Sequence, residues 1–386
     1  MGKIYTALGL MSGTSMDGVD ASIISSIDGI QYDEEFNRYY DYDRGLYQKL
    51  TNLRDKISAS KDLKKLSKEL KSLEKEITLF HAKVVNEVSR SVFKSNILKP
   101  EIIGFHGQTI FHNPEEEISV QLGDGKLLSK LTKKTVVYDF RQNDLKNGGQ
   151  GAPLTPVFHN SMVSKIYGKN KLPLTVLNIG GISNVTSFPF GHTNAGEDFM
   201  MFAGDIGPGN CLIDDWIRKN SKYNYDKDGL IAKSGKTNEL ILKQALENFI
   251  IPDKTSFDIK DFDISFVSDL SLEDGAATLT DFTASIIDIG LANLIKKNKH
   301  EDELYNSKIL ICGGGRKNKY LIEILKKKII CEEFFSIDEY GIDGDFVESQ
   351  AFAYLAIRSF LKLPISFPET TGCKEPCTGG VIVKNF

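Results

Sequence analysis

Apolar and polar positions alternate along the first forty residues and then change period. Residues 4–8 form an apolar run, residues 9–18 are rich in glycine, serine and threonine, and Val19, Ala21, Ile23 and Ile24 resume the apolar positions. A period of two broken by turn residues predicts strands joined by hairpins. Three antiparallel strands follow, with one turn at 9–18 and another at Asp28-Gly29. From about residue 45 to 93 the apolar positions move to three- and four-residue steps, as in Leu63, Leu66, Leu70 and Leu73 among lysines and glutamates. That spacing predicts helices whose lysines form a solvated face, not a binding patch. Runs at 101–105, 118–122 and 135–140 predict buried strands, and Gly148-Gly149-Gln150-Gly151 before Ala152-Pro153-Leu154 marks a crossover into the second half.

The second half opens as the first does. Residues 174–179 read as an apolar strand, Gly180-Gly181-Ile182-Ser183 as a glycine turn and 184–187 as a returning strand. A helix near 210–219, an amphipathic stretch at 275–297, a buried strand at 309–312 and a helix at 347–361 complete the pattern. The strand, Gly/Ser turn, strand unit thus occurs twice, and two such hairpins facing across a cleft can grip one nucleoside triphosphate.

The first turn reads Gly9-Leu10-Met11-Ser12-Gly13-Thr14-Ser15-Met16-Asp17-Gly18. Small residues let backbone N–H groups approach a ligand, Thr14 and Ser15 add hydroxyls, and Asp17 supplies the carboxylate that a magnesium–phosphate complex needs nearby. The competing reading is a Gly/Ser-rich β-turn whose Asp serves only local backbone donors. Gly13, Thr14, Ser15, Asp17 and Gly18, with Gly180 and Gly181 from the second turn, are the expected phosphate contacts, and Asp17 the Mg2+ residue through water. The strand 309–312 runs into Gly313-Gly314-Gly315, where the chain can pass flat under an adenine or ribose.

Bulk properties narrow the classes. A chain of 386 residues with 41% hydrophobic content suits two domains. A net charge of −4 from 48 basic and 52 acidic residues offers no positive field for nucleic acid or anionic membrane. With no membrane-length apolar run and no signal-peptide pattern, the expected location is cytoplasmic. Five cysteines, an odd number in a long chain, argue against a disulfide framework, and Cys373 and Cys377 stand as C-x3-C without a second pair, which argues against structural zinc. His112 and His159 have no ligand partner at useful spacing. Residues 229–237, Gly-Leu-Ile-Ala-Lys-Ser-Gly-Lys-Thr, imitate a Walker A loop with one residue too many between the glycines, and read as a helix-flanking loop. The sequon at Asn184 has no meaning in a cytoplasmic chain.

Two glycine hairpins and a late Gly-Gly-Gly turn resemble the nucleotide-binding pattern of the actin, Hsp70 and hexokinase superfamily. Within it, residues 9–20, Gly104-Phe105-His106-Gly107-Gln108-Thr109, Asp139-Phe140-Arg141, residues 148–154 and 178–184, Asp205-Ile206-Gly207-Pro208-Gly209-Asn210, Gly313-Gly314-Gly315 and Glu348-Ser349-Gln350-Ala351-Phe352-Ala353 resemble the anhydro-N-acetylmuramic acid kinase family, in that order. The resemblance covers nearly the whole chain. It implies an α/β fold of two RNase H-like actin/hexokinase-type domains around a central nucleotide- and sugar-binding cleft, expected as 1–140 with 347–386 and as 141–346. It also implies ATP with Mg2+, and phosphorylation of 1,6-anhydro-N-acetylmuramic acid at O6 with hydrolytic opening of the anhydro ring in peptidoglycan recycling.

Ring opening needs a base for the attacking water, and phosphoryl transfer needs O6 in line with the γ-phosphate. Asp205, in a Gly-flanked loop before a helix, is the expected base and matches the family's catalytic Asp; the alternative is a helix cap. Glu348 looks like the family's sugar-binding glutamate, although a first-turn acid is also favoured by the helix dipole. Arg141 suits the lactyl carboxylate, or else an interdomain salt bridge. His106 and Gln108 either line the sugar pocket or are satisfied polar groups in a loop. The segment 252–261 departs from the family, with Ile259 where an arginine is expected and Lys260 as a partial substitute. Levoglucosan kinases share the fold, so the sugar stays open, as does a homodimer; the alternative from another class is a non-catalytic ATPase of the superfamily.

Overall fold

The structure is a computed structural model that describes residues 3–93, 95, 97–168, 174–188, 201–249, 257, 259–297 and 308–386. Among the described residues the chain divides into two compact units, one from 3–168 with 346–386 and one from 174–345. Residues 141–168, grouped with the second half in the sequence reading, pack in the first unit. Ser161 Oγ donates to the Ile30 carbonyl at 2.8 Å, and the Phe158 ring lies 4.8 Å from that of Tyr32.

In the first unit, β1 (Ile4–Ser12) is buried from Thr6 onward, so it takes a central place in its sheet. It pairs antiparallel with β2 (Gly18–Ile27), and β2 with β3 (Gln31–Asp41). The predicted turn at Asp28-Gly29 is present, with positive φ at both residues (55° and 69°), which suits the right-handed twist of a tight hairpin. On its other side β1 runs parallel to β4 (Ile102–Asn113), whose far half pairs with β5 (Ile118–Leu122), and β4 runs parallel to β6 (Thr135–Tyr138). The closing strand Val381–Val383 adds to β6. β4 is longer than its apolar run because pairing with β5 continues through polar residues. The helices Arg44–Lys56 and Ser67–Val92 bury leucines and valines at three- and four-residue spacing, while Lys64, Lys65, Lys68 and Lys71 are exposed, as the pattern predicts.

The helix Val347–Phe360 is buried along almost its whole length against β1, β2 and β4. Gly9 of β1 and Gly104 of β4 are register partners, and both lie under it. A methyl group at Gly9 would overlap the Ser349 carbonyl oxygen; one at Gly104 would overlap that of Phe352. The helix therefore sits on the sheet at backbone contact distance, which no other residue at these two positions permits.

The second unit repeats the plan. β7 (Leu174–Ile179), β8 (Ile182–Phe188) and β9 (Phe202–Pro208) form an antiparallel meander, and β10 (Lys308–Cys312) and β11 (Glu333–Ser336) add parallel strands to β7. The order β11-β10-β7-β8-β9 matches β6-β4-β1-β2-β3 strand for strand and direction for direction. The chain is thus α/β with two RNase H-like sheets, the fold class that the sequence implies. Here too a helix, Leu272–Lys297, meets a strand at a glycine, since a methyl group at Gly290 would overlap the Ile206 carbonyl of β9. Among the described residues no helix is long and apolar enough to cross a membrane.

Gly104→Val should lower stability by about 3 kcal/mol, the upper end of ordinary overpacking, because the obstacle is a helix backbone that cannot yield. Gly314→Ala, at a position with open space around it, should stay within about 0.5 kcal/mol of the parent. Urea midpoints of the two variants check the contrast; equal shifts refute it.

Candidate functional site

In each sheet the parallel strands end on one edge: β1, β4 and β6 in the first unit, β7, β10 and β11 in the second. Carboxyl ends of parallel strands are where open α/β sheets bind ligands, because the loops there are free of the ladder. The candidate residues cluster at these ends.

The turn between β1 and β2 is anchored at two points. Met16 has φ 58° and turns its side chain into the core, where it is 2% exposed. Ser12 is buried at the end of β1 between the Tyr42 hydroxyl at 2.9 Å and His81 Nε2 at 3.2 Å, while His81 Nδ1 lies 2.8 Å from the Ile77 carbonyl. Since that carbonyl can only accept, Nδ1 carries the proton; Ser12 donates to Nε2 and Tyr42 donates to Ser12. Between the anchors Thr14 and Ser15 are exposed, as is Asp17 just past Met16, with Ser15 Oγ donating to Asp17 Oδ1 at 2.6 Å. The Tyr39 hydroxyl also bonds Asp17; burial and that carboxylate push the phenol up. Gly18, grouped with the phosphate contacts by sequence, has its Cα against the Tyr39 ring and the Tyr40 carbonyl, so it serves packing between β2 and β3.

Gln108 sits beside Ser12 in register and is buried. Its Nε2 donates to the Gly13 carbonyl at 2.9 Å, which ties β4 to the turn. His106 is buried as well and accepts at Nε2 from Arg141 Nη2 at 3.0 Å, while Nδ1 donates to the Gly107 carbonyl at 2.8 Å. Burial and the adjacent guanidinium hold this imidazole well below its usual pKa, so it is neutral. Arg141 Nη1 donates to the Gly151 carbonyl at 2.8 Å, which fixes the guanidinium by two bonds just past β6. His106 therefore orients Arg141, and Gln108 the turn. Glu348 is half-buried in the first turn of Val347–Phe360.

In the second unit, Asp205 lies within β9, opposite Asn184 of β8, and not in a loop as the sequence suggests. Nor does it cap the following helix: the N-cap of Cys211–Asn220 is Asn210. Its Oδ2 accepts from the Phe257 N–H at 2.7 Å. The question raised by Ile259 falls on residues 252–256 and 258, which lie outside the described residues; Ile259–Asp261 is a single 3-10 turn. The carbonyls of Gly180 and Gly181 accept from the N–H groups of Asn210 and Gly209 at 2.8 and 2.9 Å, locking the second turn onto the helix start.

Gly313-Gly314-Gly315 follows β10. Gly315 packs on the Ile179 side chain, but around Gly314 there is open space, so a flat group can lie against the backbone there. Sequence reasoning missed what holds this turn. Arg316, with only 5% of its side chain exposed, bonds Asp338 through Nε and Nη2 at 2.7 and 2.9 Å, reaches Asp345 and Asp343, and returns Nη1 to the Gly313 carbonyl at 3.0 Å. Burial opposes the Asp338 charge, but the Arg316 bonds outweigh it and hold the carboxylate at about 2. The Walker-like segment is a short helix, Leu230–Ser234, with no strand before it; its N–H groups at Ile231 and Ala232 go to the Asp226 carboxylate at 2.9 Å each, not to a ligand.

Twin sheets of one order, with glycine turns where parallel strands end and an acid on the strand beside the second turn, define a two-unit α/β protein of the RNase H-like class. Comparison with known proteins narrows the class. The family model for anhydro-N-acetylmuramic acid kinase matches residues 5–385. Proteins named anhydro-N-acetylmuramic acid kinase from Pelagibacter ubique, Agrobacterium fabrum and Zymomonas mobilis are 52%, 37% and 36% identical. Coverage is 100% of both chains for the first two, and 97% of this chain with 99% of the relative for the third. The chain belongs to the anhydro-N-acetylmuramic acid kinase family.

Burial holds His81 down at about 4 and His159 at about 3, with His106 also well below its usual value. Unfolded histidine titrates near 6.5, so as pH falls below that value the unfolded chain takes up protons that the folded chain refuses. Stability should be level between about pH 7 and 8 and fall between about 6.5 and 4, by on the order of 3 kcal/mol from His81 alone. Urea midpoints measured across that range check this; a flat profile refutes it.

Proposed function

We propose that the chain transfers the γ-phosphoryl group of ATP to O6 of 1,6-anhydro-N-acetylmuramic acid while water opens the anhydro ring. The products are N-acetylmuramic acid 6-phosphate and ADP, a step of peptidoglycan recycling. Asp205 takes a proton from the water, the water oxygen bonds to the anomeric carbon, and the bond from that carbon to O6 breaks. O6 then attacks the γ-phosphorus and ADP leaves. A carboxylate acts as base here only if it is held still and ionised, and the Phe257 N–H bonds its anionic form.

The other residues bind and orient. Thr14, Ser15 and the backbone at Gly13, Gly180 and Gly181 donate to the phosphates. Gly314, with nothing packed around it, receives the nucleoside. The exposed Asp17 carboxylate fits a hydrated Mg2+ held through water, which supplies charge neutralisation at the phosphates when bound. Arg141, oriented by neutral His106 and the Gly151 carbonyl, pairs with the lactyl carboxylate, and Glu348 hydrogen-bonds the sugar. The observation that most favours this substrate over a plain anhydrosugar such as levoglucosan is the fixed Arg141 guanidinium, because levoglucosan carries no carboxylate.

Asp205→Asn keeps size and most hydrogen bonds but removes the proton acceptor, so kcat should fall by roughly 10²–10⁴ with substrate still bound. ADP and sugar phosphate, quantified separately, should fall together. Sugar phosphate formed at the parent rate would show that another residue is the base.

Arg141→Ala should raise KM for 1,6-anhydro-N-acetylmuramic acid by roughly tenfold or more and leave KM for ATP nearly unchanged, since the lost ion pair touches one substrate only. Equal effects on both substrates would mark Arg141 as a structural residue.

A further inference from the structure

The C-terminal turn after the helix Pro368–Thr371 brings Cys373 and Cys377 together beneath the short helix Gln142–Lys146. Both thiols point at one acceptor, the Glu375 carbonyl, at 3.2 and 3.0 Å. A ligand atom of each cysteine and one of the Asp144 carboxylate lie within 4.8 Å of one another, and all three residues are buried. Beside the Cys373 thiol stands Ser366, 1% exposed, whose Oγ has no hydrogen-bond partner of normal geometry. Buried hydroxyls are rarely left so, because the lost hydration costs roughly 1–3 kcal/mol. Two sulfurs and a carboxylate thus converge on one buried point that the reaction does not use, with the Ser366 hydroxyl beside one of the sulfurs.

We propose that Cys373, Cys377 and Asp144 bind a thiophilic divalent cation, Zn2+ by the chemistry of the donor set, with the Ser366 hydroxyl or a water as fourth ligand. In a tetrahedral zinc site sulfurs about 2.3 Å from the metal are about 3.8 Å apart, so the donors need to close by only about 1 Å. Each thiol gives up its proton to solvent as its sulfur bonds the cation, releasing two protons per ion. The site then carries a net charge of −1 from two thiolates and one carboxylate. Asp144 can add a metal bond to its present ones, since each carboxylate oxygen has two lone pairs and Oδ1 and Oδ2 each accept one bond, from Thr371 and the Gly151 N–H at 2.6 Å. Those two bonds fix its orientation, as outer partners do around metal ligands. Sequence spacing conceals the site because the third ligand comes from far upstream.

The test uses the full-length protein, reduced and stripped with chelator, and Co2+ as a spectroscopic probe. Titration should give a thiolate-to-cobalt charge-transfer band that saturates at about one equivalent, releases about two protons per ion and bleaches on adding Zn2+. The double variant Cys373→Ser, Cys377→Ser should lose the band. Zinc should raise the melting temperature of the parent but not of the variant. Should the double variant fail to fold, Cys377→Ser alone carries the same reading. No band at excess Co2+, an undiminished band in the variants, or a Cys373–Cys377 disulfide whose reduction restores no metal uptake overturns the proposal.

Discussion

The approach of one helix backbone to one sheet governs the first unit. Val347–Phe360 touches β1 and β4 through Gly9 and Gly104, and the turn that presents Thr14, Ser15 and Asp17 springs from the end of that same β1. A helix standing off by even one methyl group would carry Glu348, in its first turn, away from the strands that set the turn. The second unit meets the same constraint from the opposite side. There the glycine is on the helix, Gly290, and the strand it touches carries Asp205 one residue from the contact. Duplicated sheets thus converge on one device with different residues.

The turn after β1 and the turn after β10 are fixed by different forces. Uncharged groups hold the first: Tyr42, Ser12 and neutral His81 form a buried chain, and the Gln108 amide reaches the Gly13 carbonyl. Neutral hydrogen bonds of this kind are short in range and indifferent to salt. Charge holds the Gly313 turn, where one nearly buried guanidinium gathers three half-exposed carboxylates. Screening reaches the outer oxygens of that cluster first, so the second anchor is the one that ionic strength can loosen.

Local features were legible and long-range ones were not. Strand alternation, the Asp28-Gly29 hairpin and the doubled strand–turn–strand unit are written in adjacent residues, and the sheets follow them. Asp205 was not legible as a strand residue, because Gly204, Gly207 and Gly209 disguise a strand that packs against helix backbone. The hydrogen bonds of His106 and Gln108 were not legible, because their partners Arg141 and Gly13 lie far away in sequence. His81 gave a faint signal, one imidazole in the apolar stripe of Ile77, Val84, Val85 and Val88, yet its partner Ser12 lies in a strand of the opening hairpin. Arg316 gave none, since its three aspartates follow an intervening helix and strand.

The first sheet is completed by residues from the other end of the chain. Val347–Phe360 covers its central strands and Val381–Val383 pairs with β6, whereas the second sheet is drawn from one continuous stretch. During synthesis the strands of the first sheet emerge well before the helix that buries them. β1, buried on both faces in the native state, must spend that interval uncovered, and such long-range closure is slow and open to aggregation. The first unit therefore cannot complete its core until the whole of the second has been translated.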